Sequence, residues 1–185
     1  MYGLVNDSFR EHVMERHGEA TWSRIATAAG VADTVFVTDE GYDDAITYAL
    51  VEQASLILGE PAASILESFG VHWVLVTARR RYPHLMRASG TTLAEFLQHL
   101  PNLHARVELA FPHLKPPLFA CTDVHADGLR LEYRSTREGL QPFVVGLLRG
   151  LAIHFGTQLE VEHVLRRDAS RDHDVFELRW SAAGS

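Results

Sequence analysis

Apolar residues recur at helical spacing through the first half of the chain and alternate in the second, and this change of period divides the sequence. Leu4, Val5, Phe9, Val13 and Met14 mark an opening helix that Gly18 stops. Trp22, Ile25 and Ala28 mark a second, ended by Gly30. Asp43 or Asp44 can cap a third helix carrying Ile46, Leu50, Ala54, Leu56 and Leu58, closed by Gly59. Pro61 stands as the first helical residue of a fourth, which runs through Ile65 and Phe69 toward Val76. Thr92 with Glu95 makes a capping-box pattern for a short helix ending before Pro101. Another short helix is expected after that proline, carrying His104, Val107 and Phe111.

From Leu118 the pattern changes. Leu118, Ala120 and Thr122 predict a strand, Ala126-Asp127-Gly128 a turn, and Leu129, Leu131 and Tyr133 the paired strand. Gly139 to Gly156 predicts a buried helix. Two further strands are expected around Leu159 to Leu165 and Val175 to Trp180, separated by a polar loop from Asp168 to Asp174. The fold class is therefore α+β: a helical N-terminal half packed on a C-terminal antiparallel sheet with one buried helix. A single domain over 1–180 is expected, with a frayed tail over 181–185.

Composition narrows the partners. A formal net charge of -7 provides no broad cationic field for nucleic acid or an anionic membrane, and Arg79-Arg80-Arg81 reads as the wet end of a helix. Cys121 is the single cysteine, which excludes an internal disulfide and a cysteine-rich zinc site. Met1 to Arg10 has no basic stretch followed by an apolar core, and the apolar run Phe143 to Phe155 is interrupted by Arg149. It also falls short of the ~20 residues of a bilayer span. A reduced, cytoplasmic setting is the expectation.

Three groups of residues could carry chemistry. Of the 11 histidines, His104 has the most apolar surroundings, Leu100, Leu103, Val107 and Leu109, with Pro101 fixing where its helix begins. A neutral imidazole on an apolar helix face can bind a haem iron axially, or can be a core histidine bonded to a carbonyl. Tyr133, Ser135 and Arg137 alternate, so an extended chain would present two hydroxyls and a guanidinium on one side. That set suits a pair of carboxylates, although an edge strand with a solvated arginine has the same pattern. Val5, Phe9, Trp73, Leu140, Phe143, Val144 and Leu147 could surround a flat ligand or fill an ordinary core.

Met1-Tyr2-Gly3-Leu4-Val5-Asn6, Asn102-Leu103-His104-Ala105-Arg106 and Tyr133-x-Ser135-x-Arg137 with Gly139-Leu140 together resemble the H-NOX family. These are haem–nitric oxide/oxygen-binding domains of bacteria and of the soluble guanylate cyclase β subunit. The resemblance covers essentially the whole chain. It implies a haem between the two halves, His104 as the iron ligand, and Tyr133, Ser135 and Arg137 on the propionates. It also implies that Pro117, thirteen residues past His104, presses on the porphyrin, with Val5, Phe9, Trp73, Leu140 and Phe143 among its neighbours. The absence of a Cys-x-x-Cys-His motif implies non-covalent haem b.

Relatives that hold oxygen carry a distal tyrosine nine residues after the triad tyrosine; here that position is Pro142, which donates nothing. The resemblance thus implies a sensor of nitric oxide and carbon monoxide that excludes oxygen and signals by weakening the iron–His104 bond. It is not expected to be an enzyme. Its output would pass to a histidine kinase or cyclic-dinucleotide enzyme, or to the rest of a longer chain. A haem enzyme turning over peroxide or nitric oxide, with His72 as the nearest acid–base candidate, and a haem-free interaction module are the two alternatives. Some bacterial relatives carry a cysteine-rich zinc site; with Cys121 alone, none is expected here.

Overall fold

The computed structural model describes residues 1–110 and 115–182. Its first half is helical: α1 (Gly3–His17), α2 (Glu19–Ala28), α3 (Asp44–Leu58) and α4 (Ala62–His72). The expected punctuation holds at Gly18 and at Gly59, which ends α3 in the left-handed conformation (φ 69°) open to glycine at little cost. Asp43 is the cap of α3, accepting from the Ala45 N–H at 2.9 Å, which leaves the Asp44 carboxylate free to act elsewhere. Pro61 precedes the first helical residue of α4 rather than forming it; its carbonyl accepts from Ser64 and Ile65 at 2.9 and 3.2 Å.

Helix α4 does not stop near Val76. It passes into a π-helical stretch, Trp73–Ala78, and then α5 (Arg79–Arg81). Inside the widened stretch, the buried Thr77 hydroxyl meets the buried Ser8 hydroxyl of α1. Two arginines of the run at its end are paired, Arg80 with Glu11 at 2.7 Å and Arg81 with Asp7 at 2.8 Å. Sequence periodicity gave no sign of α6 (Pro83–Ala88), a six-residue helix too short to display a repeat.

The pair of short helices expected around Pro101 is one helix, α7 (Leu93–Ala110), with the proline inside it. Proline lacks the N–H that would bond the carbonyl four residues back, which is that of Leu97. Cys121 supplies a replacement, its thiol donating to the Leu97 carbonyl at 3.4 Å, so the helix need not break. The capping-box residues do start this helix: Thr92 accepts from the Glu95 N–H, and Glu95 reaches back to the Thr91 N–H. Phe111 lies outside the described residues.

The second half comprises β1 (Leu118–His125), β2 (Gly128–Arg134), α8 (Gln141–His154), β3 (Thr157–Leu165) and β4 (Asp174–Ala182). They form an antiparallel sheet of order β1-β2-β4-β3, with Leu131 opposite Phe176 and Leu129 opposite Leu178. All four of those residues are fully buried beneath α8 and α7. Ser181 and Ala182, expected in a frayed tail, extend β4 and pair with Gln158 and Thr157; residues 183–185 lie outside the described part. Among the described residues no helix is long and apolar enough to cross a membrane.

Helix α8 joins the halves. An added Cβ at Gly146 would lie 2.0 Å from the Glu67 carbonyl oxygen, and one at Gly70 would lie 2.4 Å from that of Phe143. Glycines at both positions allow α4 and α8 to cross backbone to backbone, which holds Trp73 beside Phe143. Two apolar cores result. Phe9, Ile25, Leu50 and Phe69 fill one, Leu97, Leu129, Leu148 and Phe176 the other, and the first turns of α8 contribute to both.

Candidate functional site

His104 sits on α7 one turn beyond Pro101, where the helix lies against β1. Its ring stacks on Phe119 at 5.3 Å, and Phe119 lies 5.4 Å from the ring of Tyr133, so the three form a continuous row. Burial lowers the His104 pKa to about 4, and the ring is therefore neutral at pH 7. Its Nδ1 is buried and meets no hydrogen-bond partner among the described residues. Such an atom costs about 1–3 kcal/mol, so an unpartnered imidazole in an apolar row calls for an explanation outside the fold.

At the other end of the row, the triad is gathered by a turn. Tyr133 belongs to β2, but Ser135 and Arg137 lie beyond the strand's end, which corrects the expectation of simple alternation on an extended chain. The Ser135 hydroxyl accepts from the Arg137 N–H at 3.1 Å. Burial raises the Tyr133 pKa, and the nearby Ser135 hydroxyl works in the opposite direction. The Arg137 guanidinium donates from Nε to Asp44 at 2.8 Å and from Nη1 to the Lys115 carbonyl at 3.0 Å. Burial alone would raise the Asp44 pKa; the N-terminal ammonium and Arg137 hold it below its ordinary value. Arg137 thus already binds one carboxylate, and its Nη2 has no hydrogen bond among the described residues.

Most of the expected lining falls in the first core, whereas Val144 and Leu147 belong to the second. Phe9 is fully buried and meets Phe69 edge-on at 5.2 Å; Phe69 lies tilted against Phe143 at 5.0 Å, and Trp73 lies 6.3 Å from Phe143. Val5, Trp73, Leu140 and Phe143 are half-buried against that core. Pro117 stands half-buried just ahead of β1, two residues from Phe119. His72 turns away from this group: its ring lies 5.0 Å from His12, and its Nδ1 is 3.3 Å from Glu15.

Sequence reasoning missed Phe69, Phe119, Asp44 and Arg167. Phe69 was findable, since it shares a helix face with Trp73 four residues on. Phe119 is two residues from Pro117, on the face of β1 opposite its exposed neighbours. Nothing in local sequence points to Asp44 or Arg167, because their partners lie 93 and about 30 positions away.

The molecule is an α+β domain with a neutral imidazole, its Nδ1 unpartnered among the described residues, at one end of an aromatic row and Ser135 and Arg137 beyond the other end. The chain belongs to the haem–NO-binding (H-NOX) family, whose model matches residues 2–163. It is 30% identical over 183 residues to soluble guanylate cyclase gcy-31 of Caenorhabditis elegans, covering 98% of this chain and 26% of that protein. Over 155 residues it is 25% identical to soluble guanylate cyclase 89Db of Drosophila melanogaster, 84% of this chain and 23% of that one. The chain therefore spans about a quarter of the length of these relatives. In three dimensions it is similar to the H-NOX protein from S. oneidensis in its Fe(II)NO ligation state, with a TM-score of 0.87 at 19% identity. That likeness covers 98% of this chain and 99% of that one. It is also similar to the Fe(II) unliganded H-NOX protein from K. algicida, with a TM-score of 0.85 at 20% identity, over 98% and 97%.

Proposed function

We propose that this chain is a haem-based gas-sensing domain in which His104 ligates the iron and Tyr133, Ser135 and Arg137 bind the haem propionates. The observation that carries the reading is the buried Nδ1 face of a neutral His104 with no partner of its own. A metal ligand must be an unprotonated imidazole, and burial keeps this one in that form. Pro117, Val5, Phe9, Trp73, Leu140 and Phe143 would line the haem. A haem held there, non-covalently as haem b, supplies one open coordination position for a diatomic gas.

The chain's own residues set the selectivity. Bound oxygen depends on a nearby hydrogen-bond donor far more than nitric oxide or carbon monoxide does. Phe9, Phe69 and Phe143 offer none, Pro142 has neither a side-chain donor nor an N–H, and of the lining residues named only Trp73 carries a side-chain N–H. These residues support binding of nitric oxide and carbon monoxide with oxygen excluded. His104 would be the residue through which a change at the bound iron reaches the fold, since α7 carries the imidazole and runs back to the core at Leu97. A partner that prefers one position of α7 by about 1.4–2.8 kcal/mol sees a ten- to hundred-fold shift. We assign the output to a separate histidine kinase or cyclic-dinucleotide enzyme, or to a guanylate cyclase of the kind the curated relatives are named for.

Electronic absorption of the reduced, haem-loaded protein tests this. The expected result is a Soret band that shifts with nitric oxide and carbon monoxide and is unchanged by air in the first minutes. No Soret band after reconstitution, or the native spectrum in His104→Gly, would remove the basis of the proposal.

A further inference from the structure

We propose that Arg167, set in place by the buried carboxylate of Asp174, is a positioning residue for the propionate clamp. The inference rests on reading Tyr133, Ser135 and Arg137 as that clamp. The chain leaving β2 has no ladder to hold it: the strand ends at Arg134, and α8 begins only at Gln141. Carbonyls in such a segment must find donors outside regular structure. Arg167 serves two of them, donating from Nη1 to the Ser135 carbonyl at 2.7 Å and from Nη2 to the Arg137 carbonyl at 3.0 Å. A planar guanidinium fixes the separation of its two nitrogens, and so fixes the separation of the two carbonyls. Those carbonyls belong to two of the three clamp residues. The Tyr48 hydroxyl continues the series at the next residue, donating to the Glu138 carbonyl at 2.9 Å.

Arg167 is itself held. Its backbone N–H donates to Asp174 Oδ1 at 3.2 Å, and His163 Nε2 lies 2.8 Å from the same oxygen. Gln141, the first residue of α8, donates to Oδ2 at 3.1 Å. Asp174 is 1% exposed and is the strand partner of Tyr133 across the β2–β4 ladder. One buried carboxylate therefore ties together β3, the loop after it, the start of the helix bearing Phe143, and the strand position opposite the first clamp residue. A carboxylate this deeply buried is tolerated only when its lone pairs are satisfied, which gives the arrangement a single geometry. Neither Arg167 nor Asp174 is part of the Tyr133–Ser135–Arg137 set; they act on it through the backbone.

The test uses the full chain carrying Arg167→Met, which keeps most of the stem and removes the fork, beside Arg167→Lys. In the haem-free protein, hydrogen exchange of peptides covering 134–140 is expected to quicken at least tenfold in Arg167→Met, with α3 and α4 unchanged. In the haem-loaded protein, transfer of haem to excess apomyoglobin is expected to be at least tenfold faster, about 1.4 kcal/mol on the barrier. The absorption spectrum of the reduced form, which reports on His104, should stay native. Arg167→Lys, which can reach one carbonyl but not both, should fall between, and it carries the same readouts should Arg167→Met not fold. Exchange within twofold of native overturns the proposal, as does faster exchange with unaltered haem transfer. Failure of the native chain to take up haem would defeat the functional reading, and the exchange readout would still decide whether Arg167 holds the turn.

Discussion

The thiol of Cys121 donates to the carbonyl of Leu97, the acceptor that Pro101 leaves without its helical partner. One side chain on β1 thus repairs a defect in the helix that carries His104, and links that helix to the sheet at the same point. Burial raises the Cys121 pKa to about 11, so at neutral pH the group keeps the proton it donates.

The repair predicts a coupling. Cys121→Ala should destabilise the protein by about 1 kcal/mol, the net worth of a modest hydrogen bond plus slight loss of packing. In a Pro101→Ala background, the restored backbone N–H satisfies Leu97, and the same change should cost markedly less. Urea unfolding of the four proteins in a double-mutant cycle measures this. Additive effects would show that the thiol contact does no stabilising work. Native Cys121 should also resist iodoacetamide at pH 7.5.

Gly146→Ala tests the crossing of α4 and α8. An added methyl would lie 2.0 Å from the Glu67 carbonyl oxygen, which is rigid backbone, so the helices must separate. A loss of about 2–4 kcal/mol is expected, more than helix propensity would return for replacing a glycine. Because the crossing sets Trp73 beside Phe143, tryptophan fluorescence should change together with the melting temperature. A stabilised variant would contradict the close approach.

Much of the architecture was legible because period and punctuation agree. Gly18, Asp43 and Gly59 each sit where a helix needs them, and the alternation of Leu129, Leu131 and Tyr133 survives intact in β2. Around Pro101, by contrast, the local rule predicted a break. The carbonyl that Pro101 leaves open meets a thiol 24 positions from Leu97, which no window over the helix contains. The site divides in the same way. His104 and the triad stand out as residue types in a row, whereas Asp44, Arg167 and Asp174 act through contacts between distant segments. The alternation that brought Tyr133, Ser135 and Arg137 into view is not the geometry that joins them, since the strand ends after Arg134.

His104 separates stability from function. Replacing its unpartnered buried ring with an apolar side chain removes an unsatisfied group, so His104→Leu should stabilise the haem-free protein by about 1–3 kcal/mol. The same variant should fail to acquire the native Soret band on reconstitution. Thermal unfolding of the haem-free pair, followed by haem titration, reads both effects. A destabilised His104→Leu would mean that the imidazole has a partner within the fold.

Acid stability follows from the buried histidines. Burial, with the neighbouring His72 adding to it, lowers the His12 pKa from 6.5 to about 3, and burial lowers His104 to about 4. His72 is lowered too, mainly by burial, against the opposing pull of Glu15 and Glu11. Each is neutral in the folded state over a range where the unfolded chain binds a proton. Unfolding therefore takes up protons, and stability falls as pH drops below about 6.5, continuing until the folded values are reached. Each histidine contributes up to about 1.4 kcal/mol per pH unit. Asp44, with its pKa held below 3.8, adds its loss only at lower pH. Urea unfolding of the haem-free protein between pH 7 and 5 should show a slope of two to three protons, and His12→Asn should reduce it by one. A flat profile over that range would mean that these rings are solvated or charged in the folded chain.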